Sequence, residues 1–222
     1  MSWEQVYEQW IDSDKLDEKM RKELQDLGKD PELKKDAFYK QLEFGTAGMR
    51  GVLGPGVNRM NIFTIRQATE GLARFMDTQD PETKRRGVAI AYDSRHMSPE
   101  FAMEAAKTLA KHDIPSFVFE SLRPTPELSF AVRFENAFTG IMITASHNPA
   151  EYNGYKVYGE DGGQMPPEDA DALTKFVRAV ENPLEVEVLA DEEVEHSGLI
   201  NIIGDEVDSE YLKEIKSVTI NQ

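Results

Sequence analysis

The sequence predicts an α/β fold of three layers (α/β/α), with a mixed, mostly parallel sheet, preceded by an N-terminal helical extension. Two observations support this fold class. From residue 44 onward, short and nearly continuous apolar runs alternate with helical patterns, as expected for strands that helices cover on both faces. Before residue 44 the pattern is helical and acidic. We therefore assign residues 1–43 to the extension and 44–204 to the α/β domain.

The extension is predicted to contain three helices. Apolar side chains recur at i, i+3, i+4 and i+7 from Trp3 to Trp10, and Ser2 is a suitable cap for this first helix. Segments 17–27 and 31–42 are charged and helical in pattern. The chain thus begins with short amphipathic helices rather than with a strand.

The α/β domain is predicted to alternate strands with helices. The apolar runs that read as strands cover residues 87–93, 116–120, 138–144 and 154–159. The helical patterns cover residues 64–76, a segment that Ser98 caps before Pro99, the ambiguous segment 125–134, and residues 166–180.

The last part of the chain has a different character. Residues 181–198 are acidic and rich in turn formers, which indicates a solvated excursion. Residues 205–222 form a new helical pattern with no strand after it. We expect them to be the start of a second, truncated domain.

Composition excludes several classes of function. There are 25 Lys and Arg against 41 Asp and Glu, and the resulting net charge of −16 disfavours binding to nucleic acid. The absence of cysteine excludes a disulfide framework and a thiol nucleophile. No apolar run approaches the roughly 18 residues of a membrane-spanning helix. We expect a soluble, cytoplasmic protein without a membrane partner.

The most informative stretch is TGIMITASHNPAEYNGYKVYG, at residues 139–159. An apolar strand ends two residues before Ser146, and ligands of open α/β sheets bind beyond such strand ends. Pro149 restricts the backbone of Asn148, so the loop is expected to hold one shape. Ser-His-Asn-Pro is also ordinary turn chemistry, so a purely structural turn remains possible. A serine hydrolase is disfavoured, because the Gly-x-Ser-x-Gly elbow is absent and an adjacent His147 rarely orients as the base.

Three further groups of residues carry candidate chemistry. FGTAGMRG at residues 44–51 places three glycines around Arg50, whose guanidinium could bind phosphate, although a glycine-rich entry to a strand pair is the simpler explanation of the motif taken alone. Lys156 is a candidate cation or proton donor, or a solvated surface lysine. In YDSRHMS, at residues 92–98, Asp93, Ser94 and Arg95 close another strand, and the simplest interpretation of Arg95 is a structural salt bridge.

FGTAGMRG, YDSRHMS and TASHNPAEYNGYKVYGEDGGQ, in this order and spacing, resemble the N-terminal domain of the α-D-phosphohexomutase superfamily, in particular its phosphoglucomutase branch. The resemblance runs from about residue 44 to 163. It implies that Ser146 is carried as a phosphoserine that exchanges its phosphate with a phosphorylated hexose. Glucose 1-phosphate and glucose 6-phosphate would thereby be interconverted through a bisphosphate, with glucose 1,6-bisphosphate as activator.

The resemblance also implies roles for individual residues. Lys156 is expected to act as acid or base, and Arg50 and His147 to stabilise charge. Mg²⁺ is expected to bind the phosphate on Ser146, with its remaining ligands outside this chain. The residues expected to contact the phosphate or the substrate are Arg50, Thr46, Gly48, Asn148 and Lys156.

The sequence departs from the family in one respect. It has no Asp-Gly-Asp-x-Asp-Arg metal loop and no Glu-x-Ser-Gly sugar loop, which belong to later domains of these enzymes. We therefore expect the first of four domains, inactive in isolation and able to self-associate weakly through the face that the missing domains would cover. Phosphomannomutase and phosphopentomutase domains remain alternatives, as does a stand-alone binding or regulatory protein of the same fold.

Overall fold

The structure is a computed structural model that describes residues 1–45 and 48–220. The strands of this part of the chain are β1 (Phe44–Gly45), β2 (Gly48–Val52), β3 (Val88–Tyr92), β4 (Ser116–Phe119), β5 (Thr139–Ile143), β6 (Tyr152–Tyr158) and β7 (Ile200–Ile203). They form one sheet in the order β1-β2-β6-β5-β3-β4-β7. Strands β5, β3, β4 and β7 run parallel, whereas β6, β2 and β1 join by antiparallel pairing. The predicted mixed α/β/α fold is confirmed.

Helices cover both faces of this sheet. Within the described residues they are α1 (Trp3–Ile11), α2 (Glu18–Leu27), α3 (Pro31–Phe38), α4 (Ile62–Asp77), α5 (Pro81–Arg86), α6 (Ser98–Ala110), α7 (Thr125–Phe134), α8 (Pro167–Arg178), α9 (Asp191–Ser197) and α10 (Asp205–Val218). The buried apolar residues of α4, α6 and α8 form one core with the sheet. Those of α7 and α10 form a second core on the opposite face. The ambiguous segment 125–134 is therefore a helix, because its apolar stripe closes this second core.

Two predictions about local structure are wrong. Residues 181–198 are not only a solvated excursion, because they contain a 3₁₀ turn at Pro183–Glu185 and helix α9, and Leu184 is buried against the N-terminal helices. Ser98 does not cap α6: the cap position is Met97, in the left-handed conformation with φ of 66°, and Ser98 is buried inside the first turn.

The N-terminal helices are tied to the α/β domain by an aromatic cluster. Trp10 of α1 is only 1% exposed, and its ring meets Phe38 of α3 and Phe63 of α4 edge to face, at centroid distances of 5.8 and 5.4 Å. Phe63 lies in the first turn of α4, where the Asn61 side chain accepts hydrogen bonds from the backbone amides of Phe63 and Thr64. The extension thus packs directly on the start of a core helix.

Helix α10 packs on α7 and on the residues just before it through both apolar and ionic contacts. Val207 is buried, and the Tyr211 ring lies 5.6 Å from that of Phe130. Asp208 accepts two hydrogen bonds from the Arg123 guanidinium, at 2.8 and 2.7 Å.

Glu127, at the start of α7, is 5% exposed and lies beside Asp208. Burial, and then the neighbouring Asp208, raise the pKa of Glu127 to about 7, although Arg123 acts in the opposite direction. From about pH 4.5 to about pH 7 the folded protein therefore keeps a proton that the unfolded chain loses, so stability decreases as the pH rises through this range.

Replacing Glu127 with glutamine should remove this loss of stability. At pH 8 the free energy of unfolding of Glu127→Gln is expected to exceed that of the parent by about 1–3 kcal/mol, with little difference at pH 4.5. Urea unfolding at both pH values measures this. Glu195→Gln, at an exposed position of α9, is the matched control. Equal stabilities of parent and Glu127→Gln at pH 8 would contradict the prediction.

Candidate functional site

The candidate site lies where the order of the parallel strands reverses. The chain passes from β3 through α6 to β4 on one side of β3, and then through α7 to β5 on the other side. Open α/β sheets bind ligands beyond the carboxyl ends of strands at such a switch point. Asp93 follows β3 directly, and Ser146 lies in the loop after β5, so the two residues meet at this point.

A relay of hydrogen bonds connects the two strand ends. Asp93 accepts a hydrogen bond from the Thr144 hydroxyl at 2.6 Å, and the Thr144 oxygen accepts one from the Ser146 amide at 2.9 Å. The other carboxylate oxygen of Asp93 accepts from the Arg95 amide at 3.0 Å and from the Ser98 hydroxyl at 3.1 Å. The carboxylate is thereby satisfied by donors from three segments.

Ser146 is the exposed end of this relay. Its backbone is left-handed, with φ of 57°, which is uncommon for a residue with a side chain. Its hydroxyl is presented at the surface, and Nδ1 of His147 lies 3.4 Å from Oγ. His147 is exposed and has no carboxylate partner among the described residues, so the third member of a hydrolase triad is not found there.

Arg95 holds the serine loop from behind. Its guanidinium donates to the carbonyls of Ser146 and Asn148 at 2.8 and 2.6 Å, and to those of Pro149 and Tyr152 at 2.8 and 3.0 Å. Its Nε also lies 3.6 Å from Asp93. The predicted salt bridge is therefore present, but it is the smaller part of what this side chain does.

Arg50 and Lys156 lie on one face of the sheet. Arg50 of β2 is paired with Gly154 of β6, and Lys156 is paired with Met142 of β5. Because side chains alternate along a strand, Arg50 and Lys156 share the face of Met142, as diagonal neighbours about 7–8 Å apart. No hydrogen bond or ion pair joins either side chain to another residue within 1–45 and 48–220. Lys156 thus lies on β6, which flanks the serine strand β5, and Arg50 lies on β2, one strand farther out.

The remaining predicted contact residues have mixed outcomes. Asn148 lines the depression in front of Ser146. Gly48 has φ of +100°, and a Cβ there would lie 1.9 Å from the Tyr155 carbonyl oxygen, so backbone packing alone requires this glycine. Thr46 lies outside the described residues.

The depression has a volume of about 380 Å³. It is lined by Asp93, Ser94, Arg95, His96, Ser146, Asn148 and Ala150. A second depression of about 390 Å³ surrounds His112, whose ring nitrogens lie 2.8 Å from Glu70 and 3.0 Å from Asp77. Volume does not separate the two. An exposed hydroxyl on a fixed loop distinguishes the first, whereas the carboxylates that flank His112 already occupy its nitrogens.

Neither a metal site nor a membrane span is found in the described part of the chain. No group of three or more His, Cys, Asp or Glu residues there could hold a metal ion. Among those same residues, no helix combines the length and the apolar character needed to cross a bilayer.

Sequence reasoning missed Thr144 and the loop-holding role of Arg95. The signal for both was the pairing of polar residues directly after two buried strands, YD at residues 92–93 and IT at 143–144. Asn153 was also missed: it is fully buried and donates to the His96 carbonyl and to the Ser98 hydroxyl, each at 3.0 Å.

These features define a class: three-layer α/β/α proteins that present a serine at the switch point of a mixed sheet. Residues 41–183 match the family model of phosphoglucomutase/phosphomannomutase, alpha/beta/alpha domain I. The chain belongs to this phosphoglucomutase/phosphomannomutase family, within the α-D-phosphohexomutase superfamily.

Individual relatives agree with this assignment. A phosphoglucomutase of Staphylococcus aureus (strain bovine RF122 / ET3-1) is 41% identical over 184 residues, which cover 83% of this chain and 32% of that protein. A phosphoglucomutase of Staphylococcus epidermidis (strain RP62A) is 39% identical over 209 residues, covering 94% and 37%. A crystal structure of a Thermus thermophilus protein assigned as a phosphomannomutase superposes with a TM-score of 0.66 at 29% identity, covering 80% and 36%. The chain thus spans about a third of the length of these relatives.

Proposed function

We propose that this chain is the phosphoserine-bearing first domain of a phosphoglucomutase-like enzyme that interconverts glucose 1-phosphate and glucose 6-phosphate through a bisphosphate. The observation that carries the proposal is the presentation of Ser146. Its hydroxyl is exposed, while its amide and carbonyl are both held by Thr144 and Arg95. Phosphoryl transfer depends on positioning and charge stabilisation, and a serine held in this way meets the first requirement.

The step assigned to this chain is a displacement at phosphorus. Ser146 Oγ attacks a phosphate of glucose 1,6-bisphosphate, the Oγ–P bond forms, and the bond from phosphorus to the sugar oxygen breaks. The serine proton passes to the departing sugar oxygen. In the return step the sugar monophosphate takes the phosphate back on its other oxygen.

The neighbouring side chains are assigned supporting roles. A phosphoserine adds a charge of about −1.5 to −2, which an acidic chain must offset locally. Arg50 and Lys156, without partners among the described residues, are assigned to stabilise this charge, and Lys156 also to exchange the proton. His147, whose Nδ1 lies 3.4 Å from Oγ, is assigned to donate to the phosphate.

The rest of the assignment concerns the whole enzyme. Residues 1–43 would be the extension, 44–204 the phosphoserine domain and 205–222 the start of the next domain. Mg²⁺ would neutralise phosphate charge in the complete enzyme, and the phosphate on Ser146 is the ligand that this chain would give it. Turnover is not expected from the isolated chain. A cytoplasmic location remains a prediction. Weak self-association also remains a prediction, and the exposed apolar side chains of Leu212 and Ile215 favour it.

The test is phosphorylation by glucose 1,6-bisphosphate in the presence of Mg²⁺, measured by intact mass. The parent chain is expected to gain one phosphate, and Ser146→Ala none. Ser94→Ala is the matched control, since Ser94 is an exposed serine in the same depression. A parent chain that gains no phosphate would contradict the proposal and favour a non-catalytic binding protein of this fold.

A phosphomannomutase domain is the second candidate, supported by the similarity to the Thermus thermophilus structure. Mannose 1,6-bisphosphate in the same assay compares the two sugars. Faster labelling of Ser146 by the mannose compound would favour this candidate.

A further inference from the structure

The Arg95 guanidinium uses its terminal N–H donors to bind the serine loop. A guanidinium carries five N–H donors, of which four are on its two terminal nitrogens. Those nitrogens make four hydrogen bonds, all to carbonyl oxygens between residues 146 and 152, at 2.6 to 3.0 Å. The side chain is 13% exposed. Arg95 therefore has no terminal N–H left for a phosphate. The Arg50 side chain, by contrast, makes no hydrogen bond to another residue within 1–45 and 48–220.

The loop that Arg95 holds has few other hydrogen bonds of its own. Among its backbone amides, Asn148 donates to the Ala145 carbonyl at 3.2 Å and Tyr152 to the Pro149 carbonyl at 3.0 Å. The Ser146 amide is bound through Thr144 to Asp93. Arg95 is anchored on the same Asp93, so the carboxylate and the guanidinium fix opposite ends of one residue.

This arrangement bears directly on where Oγ can lie. A left-handed serine is stable only when its surroundings hold it there. Arg95 donates a charge-assisted hydrogen bond to the carbonyl of Ser146 itself, and such bonds are stronger than neutral ones. Without them, four carbonyls would face an empty position, and the loop would rearrange to hydrate them.

We propose that Arg95 is a positioning residue for phosphoryl transfer at Ser146: it clamps four loop carbonyls so that Oγ is aligned with the incoming phosphorus, and it does not bind the phosphate itself. This inference rests on the proposed function, since it concerns the same serine. It assigns Arg95 a role different from that of the family's phosphate-binding arginine, which Arg50 matches.

The first experiment compares phosphorylation rates of the parent, Arg95→Lys and Arg95→Ala across a series of glucose 1,6-bisphosphate concentrations. Because a displacement of about 1 Å can cost about 100-fold in rate, Arg95→Lys is expected to lower the maximal rate by a factor of that order. The half-saturating concentration should change by less than about 3-fold, since the phosphate loses no ligand. Methylguanidinium is expected to restore part of the rate of Arg95→Ala but not that of Arg95→Lys.

Arg66→Lys is the matched control. Arg66 is 16% exposed at its side chain and bound to Glu104 at 2.7 Å, away from the loop, so its replacement tests for a general loss of stability. A maximal rate of Arg95→Lys within about 3-fold of the parent would overturn the proposal, as would a changed half-saturating concentration with an unchanged maximal rate. If Arg95→Ala does not fold, Arg95→Lys decides.

A second readout is independent of phosphorylation. Hydrogen exchange of the amides of residues 146–152 should be faster in Arg95→Lys than in the parent, while exchange in strand β5 is unchanged. If the parent takes no phosphate, the proposed function fails. Hydrogen exchange is then the one test of whether Arg95 fixes the loop. Equal exchange in parent and variant would then reject that role of Arg95.

Discussion

Gly154→Ala is expected to lower the free energy of unfolding by about 2–3 kcal/mol, as overpacking of a closed core site does. Strand β6 lies between β5 and β2, and a Cβ on Gly154 would lie 2.6 Å from the Thr144 carbonyl oxygen and 2.9 Å from that of Met49. Both atoms belong to backbone, so neither can turn aside. One of the flanking strands must therefore move.

The same change should disturb the serine loop. The Thr144 amide donates to the Gly154 carbonyl at 3.0 Å, and the Thr144 hydroxyl oxygen holds the Ser146 amide. We therefore expect slower phosphorylation of Ser146 together with a melting temperature lower by about 4–10 °C. Gly159→Ala is the control, because its Cβ would meet nothing nearer than the Asp161 carboxylate, a side-chain group, at 3.3 Å. Similar melting temperatures for the two variants would contradict the prediction.

Trp10→Ala is expected to cost about 3–5 kcal/mol, the range for removing a large buried aromatic side chain. The indole fills the space between Phe38 and Phe63, where neighbouring helices meet. Because these helices are packed together, they cannot easily shift to fill the cavity that the truncation leaves. Loss of the indole should loosen the N-terminal helices and uncover the first turn of α4.

Trp3→Ala is the matched control for this second prediction, because Trp3 is the other of the two tryptophans and is only partly buried. Urea unfolding followed by circular dichroism measures both variants. Intrinsic fluorescence then reports separately on the tryptophan that remains. A loss for Trp10→Ala no larger than that for Trp3→Ala would show that the aromatic cluster is not the anchor of the extension.

The central strands and most helices were predictable because their burial produces local patterns of apolar residues in the sequence. Val88–Tyr92 and Thr139–Ile143 are buried along their whole length and are correspondingly apolar in sequence. The helix at Ile62–Asp77 has a wide apolar stripe and an asparagine cap. In such segments local propensity and tertiary packing favour the same structure.

Other elements depend on partners that are distant in the sequence. Ile200–Ile203 is an edge strand that pairs only with β4 among the described strands, and its two central residues are exposed. Its apolar run is too short for the sequence pattern to distinguish a strand from a buried loop. Leu184 lies in an acidic segment, yet the aromatic residues of the N-terminal helices bury it. These contacts have no signature in a local window.

The candidate site was predictable in its chemistry but not in its construction. The serine, arginine and lysine side chains follow from the motifs. The positions of Lys156 on the strand next to β5, and of Arg50 on the strand beyond it, follow once the strand order is known. The bonds from Arg95 to four carbonyls could not be foreseen, because they join residues 51 to 57 positions apart in the sequence.

The anchoring of the serine loop also has a consequence for local unfolding. Its two anchors, Asp93 and Thr144, extend the buried strands β3 and β5. Many functional loops open at low free energy while the core stays folded, because few bonds tie them to it. Here the exposed loop shares a cooperative unit with the two central strands. Heating should therefore not release the loop ahead of the sheet, and Ser146 should keep its geometry until the whole domain unfolds.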